Sequence, residues 1–303
     1  MFSGKEPLVN NLIAGLGHPL IHLGYAFELE SRTVAMEALG LAACFYNDWH
    51  VYLDDPKYTK PSTNPTDSLF TILDRVASDK TFDNLFDNNR GSDNIATLLA
   101  DPTASAAVLE YWNQWDLKKP TDQFAESQKL AVAILVAAQS DEAEAEAEEK
   151  YDFFAVHLLT TSHAIRILLS FVPPKNQIPL IRQWWLFTLL VYISQLRPSI
   201  NIDRIKLVEL EGRDWKYVTQ KAVEGKWRTD AHFVKALRSM HEASRTWGDA
   251  NQFYLKAAVK VAEEFDGWGG FGPRDETLKM EEDGEGRARR YSGQGVVAEE
   301  RSG

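Results

Sequence analysis

The sequence predicts an all-α protein, an irregular multi-helix bundle in a single domain that is followed by a disordered C-terminal tail. Apolar residues recur at the three- and four-residue spacing of amphipathic helices along almost the whole chain. Alternating β-branched runs bounded by Asn-Gly or Asp-Gly turns are missing, so hairpins are not indicated. With 303 residues, of which 44% are hydrophobic, the chain is long enough to bury a sizeable core.

The helices are predicted from this periodicity and from the proline and turn residues that interrupt it. The expected helical segments are 20–45 (one or two helices), 68–79, 103–116, 121–139, 151–171, 176–196 and 214–265, the last broken near Gly225. Residues 54–68, DDPKYTKPSTNPTDS, contain three prolines and are predicted to form a loop. The most apolar run, WWLFTLLVYISQL, has 13 residues, fewer than the roughly 20 that a membrane-spanning helix needs. It is therefore predicted to be a buried core helix.

The domain is expected to cover residues 1–273. The acidic run SDEAEAEAEEK at 140–150 is interpreted as a solvated helix extension or an exposed connector within that domain. Residues 274–303 are charged, rich in glycine and poor in aromatic residues, and they are expected to be disordered.

Charge and composition exclude several classes of function. The net charge of −11 repels phosphate backbones, and the basic run RARR at 287–290 is too short to reverse this, so no nucleic acid partner is expected. The N-terminus lacks the apolar segment of a signal peptide, which predicts a cytoplasmic protein without a membrane partner. The single cysteine, Cys44, lies in an apolar run and is expected to pack as a small hydrophobic residue.

The candidate chemistry rests on histidines, because the sequence contains no GxSxG, GxGxxG, P-loop, CxxC or HExxH motif. His18 precedes Pro19, which favours the first position of a helix, and His22 lies one turn further on the same side. Two imidazoles at this spacing can bind one metal ion, although a structural or surface role is the commoner outcome for an isolated pair.

A second pair, His157 and His163, lies in HLLTTSH, where six residues rotate a helix by about 600° and leave the side chains about 120° apart. Either one is a ligand and the other supports it, or the helix bends, which the intervening Thr and Ser hydroxyls favour by bonding to preceding carbonyls. In TDAHFVKALRSMH, His232 lies in the first turn of a helix and shares a face with Lys235. Lys235 either extends to water or, if its pKa is depressed, provides a neutral amine. No partner is expected for His50 or His241.

Three stretches taken together, GHPLIHLGYAFE, YDFFAVHLLTTSHAIR and WRTDAHFVKALRSM, with RQWWLFTLLVYISQLRPSI between the last two, resemble the questin oxidase-like family. The resemblance covers residues 8–265. Its members are mostly fungal proteins, some of which act in aromatic polyketide pathways of secondary metabolism. The resemblance implies an oxygen-dependent oxidoreductase that opens a ring of an anthraquinone-type substrate, with a Baeyer–Villiger-type outcome but without a flavin fold. Its partners would be a small aromatic molecule and dioxygen.

One branch of this family is understood as non-haem iron oxygenases with histidine ligands and a carboxylated lysine. By this resemblance, the expected Fe(II) ligands are His18, His157, His232 and Lys235, with Lys235 also a catalytic candidate as a carbamate or a neutral amine. His22 and His163 are the second choices for a catalytic role. NADPH is an alternative source of the electrons that oxygenation consumes, although no nucleotide-binding motif supports it. Tyr25 and Trp185 are interpreted as core residues or as walls of an apolar substrate pocket.

Two alternatives remain open at this stage. Family members usually carry a further N-terminal region with a histidine-rich helix, whereas this sequence starts at MFSGKEPLVNN, just before the His18 motif. The chain is therefore either an enzyme or a truncated, catalytically inactive helical relative that acts as a binding protein. A metal-dependent hydrolase with the same ligands is the third hypothesis. The substrate and the oligomeric state do not follow from the sequence.

Overall fold

Several helices in the computed structural model begin directly after a capping side chain. The structure describes residues 4–45, 47–86, 89–139 and 150–271. Asp101, Asp152 and Asp230 each precede a helix and accept hydrogen bonds from backbone N–H groups of its first turn. Ser31 and Ser68 do the same for two other helices. These caps satisfy donors that have no partner inside the helix, and so they set where each helix starts.

The α-helices of the described residues confirm the predicted all-α class. In chain order they are α1 Ala14–Glu28, α2 Arg32–Cys44, α3 Val51–Asp54, α4 Leu69–Ser78, α5 Asn94–Ala100, α6 Pro102–Gln114, α7 Pro120–Ala137, α8 Phe153–Leu168, α9 Pro174–Ser194, α10 Asp203–Lys206, α11 Trp215–Glu224, α12 Ala231–Trp247 and α13 Phe253–Glu264. The predicted loop at 54–68 contains only one short 3₁₀ turn, Pro56–Tyr58.

The sequence did not indicate the short helices α3, α5 and α10, nor four strands of two residues each in the described residues. The strands are β1 Ala138–Gln139, β2 Tyr151–Asp152, β3 Ser199–Ile200 and β4 Trp268–Gly269. β1 pairs with β3 in antiparallel orientation, and β2 pairs with β4 in parallel orientation. Such short strands carry no periodic signal, because two residues cannot show an alternation of apolar and polar side chains.

The core is centred on α9, which is surrounded by α5, α6, α7 and α8. Trp184, Trp185 and Phe187 of this helix are fully buried, as the apolar run predicts for a core helix. Trp184 donates a hydrogen bond from Nε1 to the Leu158 carbonyl on α8. Trp185 is also fully buried and is a core residue, one of the two roles expected for it. Among the described residues, no helix has the length and apolarity that a bilayer crossing requires.

The compact unit that contains these helices runs from Met1 to Gly272. The predicted acidic connector lies outside the described residues except for Lys150, which is exposed, and the predicted disordered tail lies outside them entirely. Cys44 was expected to be buried, and this prediction is wrong. Its thiol is exposed because α2 turns only a narrow face, around Ala38 and Ala42, toward α1.

Candidate metal centre

Three histidines that are far apart in the sequence meet in the folded chain. His18 lies on α1, His157 on α8 and His232 on α12, and one ring nitrogen of each lies within 4.8 Å of those of the other two. The ring centroids are 5.1 Å apart for His18 and His157, 5.0 Å for His157 and His232, and 6.3 Å for His18 and His232. We call these three residues the histidine cluster.

His18 is placed by a turn and a proline at the start of α1. Gly15, Leu16 and Gly17 adopt left-handed backbone angles, and regular helix follows from Pro19. A Cβ at Gly17 would lie 2.3 Å from Thr161 Cγ2 on α8, so only glycine permits this turn to lie against α8. The His18 ring then turns back, with Nδ1 2.6 Å from the Gly15 carbonyl oxygen.

His157 is held in one orientation by its own helix. Its Nδ1 lies 2.8 Å from the Phe153 carbonyl oxygen, and a carbonyl can only accept, so Nδ1 carries the proton. Nε2 therefore has a free lone pair, and it is buried without a hydrogen-bond partner among the described residues. A buried polar atom without a partner is costly, and a ligand that accepts the lone pair would remove that cost.

His232 lies in the first turn of α12, as predicted from the capping residue Asp230. Asp230 Oδ1 accepts hydrogen bonds from the backbone N–H groups of His232 and Phe233. Phe153 packs against the rings of both His232 and His157, at centroid distances of 4.7 and 4.9 Å. This phenyl ring forms an apolar wall on one side of the histidine cluster.

Burial disfavours the protonated form of His18 and His157. Desolvation places the pKa of His157 well below its ordinary value and also lowers the pKa of His18. His18 opens the regular part of α1, so the positive end of this helix dipole opposes its protonation as well. Neutral imidazole is the form that binds a metal ion.

Lys235 lies beside this cluster, one turn after His232. Its side chain is half-buried, and desolvation lowers the pKa of the ammonium group although the charge of Asp230 opposes the shift. The positive charge of Lys235 in turn contributes to lowering the pKa of both His18 and His157. Of the two sequence interpretations, the structure favours the amine with a depressed pKa over one that extends fully to water.

The second-choice histidines lie outside the cluster. His22 is half-buried, with its ring centroid 6.5 Å from that of His18 and Nδ1 3.3 Å from Glu37 Oε2. His163 is buried, and its Nε2 lies 3.2 Å from Arg238 Nη1 and 3.5 Å from Glu28 Oε2. Of the two predicted arrangements for His157 and His163, the straight helix with divergent side chains is observed. The hydroxyls of Thr160, Thr161 and Ser162 bond to preceding carbonyls, as expected, without a break in α8.

Sequence reasoning missed several polar contacts. His50 was expected to have no partner, but its Nδ1 hydrogen-bonds to Asp54, one turn later. His241 stacks on Trp215 of α11 at a centroid distance of 4.5 Å. The four-residue spacing of His50 and Asp54 was a usable signal. Nothing in the sequence pairs Glu28 with Arg238, because 210 residues separate them.

The chemistry of the donor set fits a divalent metal ion. Nitrogen ligands at about 2.1 Å from one ion lie roughly 3 to 3.5 Å apart, so spacings within 4.8 Å need only small side-chain movements to close on it. Three neutral imidazoles suit Fe(II), Zn(II) and related ions. Within the described residues, no carboxylate shares this cluster. Lys235 would provide an anionic oxygen next to the cluster after carboxylation of its amine.

Comparison with known proteins identifies the family of this chain. A model of the family described as questin oxidase-like matches residues 1–240, a range that includes all three histidines and Lys235. Proteins named Baeyer–Villiger oxidases are similar to this chain. The one from Pestalotiopsis fici is 24% identical over 79% of this chain and 55% of its own length. The one from Pestalotiopsis microspora is 24% identical, over 78% and 54% respectively.

A third protein of that name, from Emericella nidulans, is 21% identical over 83% of this chain and 58% of its own length. The chain therefore spans about half the length of the curated relatives it matches. Because the family match covers most of this sequence and every residue of the histidine cluster, the chain belongs to the questin oxidase-like family.

Proposed function

We propose that this chain is an oxygen-dependent oxidoreductase that cleaves a ring of an aromatic polyketide, of anthraquinone type, at a non-haem iron. The observation that carries the proposal is the convergence of His18, His157 and His232 from three helices, with a half-buried Lys235 beside them. The relatives named Baeyer–Villiger oxidases support the reaction type.

His18, His157 and His232 would hold the iron, and the metal would supply the electron transfer that activates dioxygen. Lys235 would supply the missing anionic oxygen. A neutral amine attacks carbon dioxide, an N–C bond forms, one proton leaves, and the product is a carbamate with an anionic carboxyl group. The depressed pKa of Lys235 raises the fraction of neutral amine that this step requires.

The net reaction breaks the bond between a ring carbonyl carbon and its neighbour and inserts one oxygen atom of O₂ between them, which gives a lactone. Addition of water to the lactone carbonyl then breaks its C–O bond and opens the ring to an acid and a hydroxyl group. The second oxygen atom of O₂ leaves as water, which consumes two electrons and two protons. The two electrons come either from NADPH or from the substrate itself, which would then be oxidised further. Phe153, packed on His157 and His232, would exclude water from this side of the reaction centre.

The first experiment measures iron in the purified protein. We expect about one iron ion per chain in the wild type, and loss of that iron in His157→Ala and in Lys235→Ala. His241→Ala is the matched control, because His241 lies on the same helix as His232 but stacks on Trp215 instead. This variant should retain the iron. Oxygen uptake with a hydroxyanthraquinone, measured with and without NADPH, then tests the reaction and its electron source.

Two results would overturn the proposal. A metal-free wild-type protein, with a melting temperature that does not respond to iron, would favour a non-catalytic binding protein. Turnover of the substrate without consumption of dioxygen would favour a metal-dependent hydrolase that uses the same ligands.

A further inference from the structure

A second polar cluster is built from the same three helices that carry the histidine cluster. Glu28 of α1, His163 of α8 and Arg238 of α12 meet around one carboxylate oxygen. Glu28 Oε2 lies 2.8 Å from Arg238 Nη1 and 3.5 Å from His163 Nε2. We call these three residues the Glu28 cluster. Arg166 supports it from α8, with Nη2 3.4 Å from His163 Nδ1.

The two clusters correspond helix by helix. In each helix the residue of the Glu28 cluster follows the histidine of the histidine cluster, by 10 residues in α1 and by 6 in both α8 and α12. At 1.5 Å per residue these spacings are about 15 Å and 9 Å along the helix axes. All three helices therefore run from the histidine cluster toward their C-termini in the same direction, and the Glu28 cluster connects them again about two to three turns later.

The link between α1 and α12 depends most on this second cluster. Both helices pack extensively against α8. Between α1 and α12 themselves, the polar and ring contacts that the described side chains make are few. The His18 and His232 rings approach at one end, and Arg238 contacts Glu28 and the face of Tyr25 at the other. The ion pair between Glu28 and Arg238 is the direct charge-assisted bond between them in the described residues.

The surroundings make this ion pair stronger than a surface pair. The Glu28 side chain is 19% exposed and that of Arg238 is 37% exposed. Burial alone would raise the pKa of Glu28, but hydrogen bonds from His163 and Arg238 reverse this and lower it to about 2. The carboxylate is therefore charged at neutral pH and shared between two helices, which favours a single arrangement of the three.

We infer that the Glu28 cluster is a positioning device for the metal site: the Glu28–Arg238 pair holds α12 against α1, and so sets the distance of His232 from His18. This inference rests on the proposed function, because it assumes that the histidine cluster binds a metal ion. Residues that orient metal ligands without touching the ion typically change metal affinity by about 10- to 100-fold when they are replaced. Glu28 and Arg238 are predicted to belong to this class.

The test is titration of the metal-free chain with Co(II), which reports affinity and, through its visible spectrum, ligand geometry. Arg238→Gln and Glu28→Gln are each expected to weaken Co(II) binding about tenfold or more and to alter the spectrum. The exchanged double variant, Glu28→Arg with Arg238→Glu, restores the ion pair and should recover most of the affinity. Arg245→Gln is the matched control, since Arg245 pairs with Glu242 within α12 alone, and it should bind as the wild type does.

Each outcome discriminates between hypotheses. If Arg238→Gln binds Co(II) within twofold of the wild type and with the same spectrum, the positioning role is wrong while the metal site stands. If the wild type itself binds no Co(II), the proposed function and this inference both fail. If Arg238→Gln does not fold, Arg238→Lys replaces it as the test variant, because lysine keeps the positive charge but not the forked geometry of the guanidinium. A Co(II) affinity between those expected for Arg238→Gln and the wild type, with a native circular dichroism spectrum, would then support the inference.

Discussion

Replacing Gly24 with alanine should push α1 away from α8 and weaken the metal site without touching it. Gly24 lies in the middle of α1, on the side that faces α8. An added Cβ would lie 2.6 Å from the Cβ and 2.7 Å from the Cα of Ala164. Carbon atoms in good contact are about 3.5 to 4.0 Å apart, so the helices would have to separate by about 1 Å.

The size of the effect follows from two opposing contributions. Overpacking of this kind typically lowers the free energy of unfolding by about 1–3 kcal/mol. Alanine regains up to about 1 kcal/mol in a helix interior relative to glycine. With the full propensity gain, the net expectation is a loss of up to about 2 kcal/mol, or up to roughly 8 °C in melting temperature for a domain of this size. Because His18 and His157 lie on the two separated helices, Co(II) affinity should fall as well.

Denaturant unfolding and Co(II) titration of the same samples measure both effects. Gly40→Ala is the matched control, because Gly40 lies within α2 and has no atom within 4 Å of an added Cβ. This control should gain about 0.5–1 kcal/mol from helix propensity alone. The double variant Gly24→Ala with Ala164→Gly should recover only part of the stability, because the 2.7 Å contact with the Ala164 Cα remains and glycine costs about 1 kcal/mol in a helix interior. A Gly24→Ala protein as stable as Gly40→Ala would refute the close-packing argument.

Two further predictions concern charge. Burial raises the pKa of Asp152 from 3.8 to about 6, so the folded state binds the proton more tightly than the unfolded state does. The stability that this contributes is complete below pH 4 and is lost as the pH rises through 6. The free energy of unfolding of Asp152→Asn should therefore rise relative to that of the wild type as the pH increases through this window, by up to about 3 kcal/mol at neutral pH. Replacing Lys235 with methionine should raise the pKa of His18 and His157 in the metal-free protein, because a nearby positive charge is removed.

Urea unfolding at a series of pH values checks the first of these, and NMR titration of the imidazole resonances checks the second. A stability difference between Asp152→Asn and the wild type that does not change between pH 4 and 7 would contradict the assigned burial. Unchanged imidazole pKa values in Lys235→Met would mean that the amine is uncharged at neutral pH or faces away from the histidine cluster.

Much of the site could be anticipated residue by residue. Pro19 and Asp230 marked helix starts, and these placed His18 and His232 correctly in the first turns, since capping is a local interaction. The divergence of His157 and His163 also followed from helix geometry alone. The expectation for Cys44 failed, because an apolar stretch shows that a helix packs somewhere but not which of its faces is covered.

The sequence by itself determined the longer helices, their order and the family, because periodicity, capping and proline act over a few residues. Only the tertiary structure decided that imidazoles from positions 18, 157 and 232 share one point, that His163 belongs to a different cluster, and that Glu28 pairs with Arg238. The physical reason is distance along the chain. Contacts across 75 to 210 residues depend on how whole helices pack, and close approaches such as that of Gly24 to Ala164 set this packing.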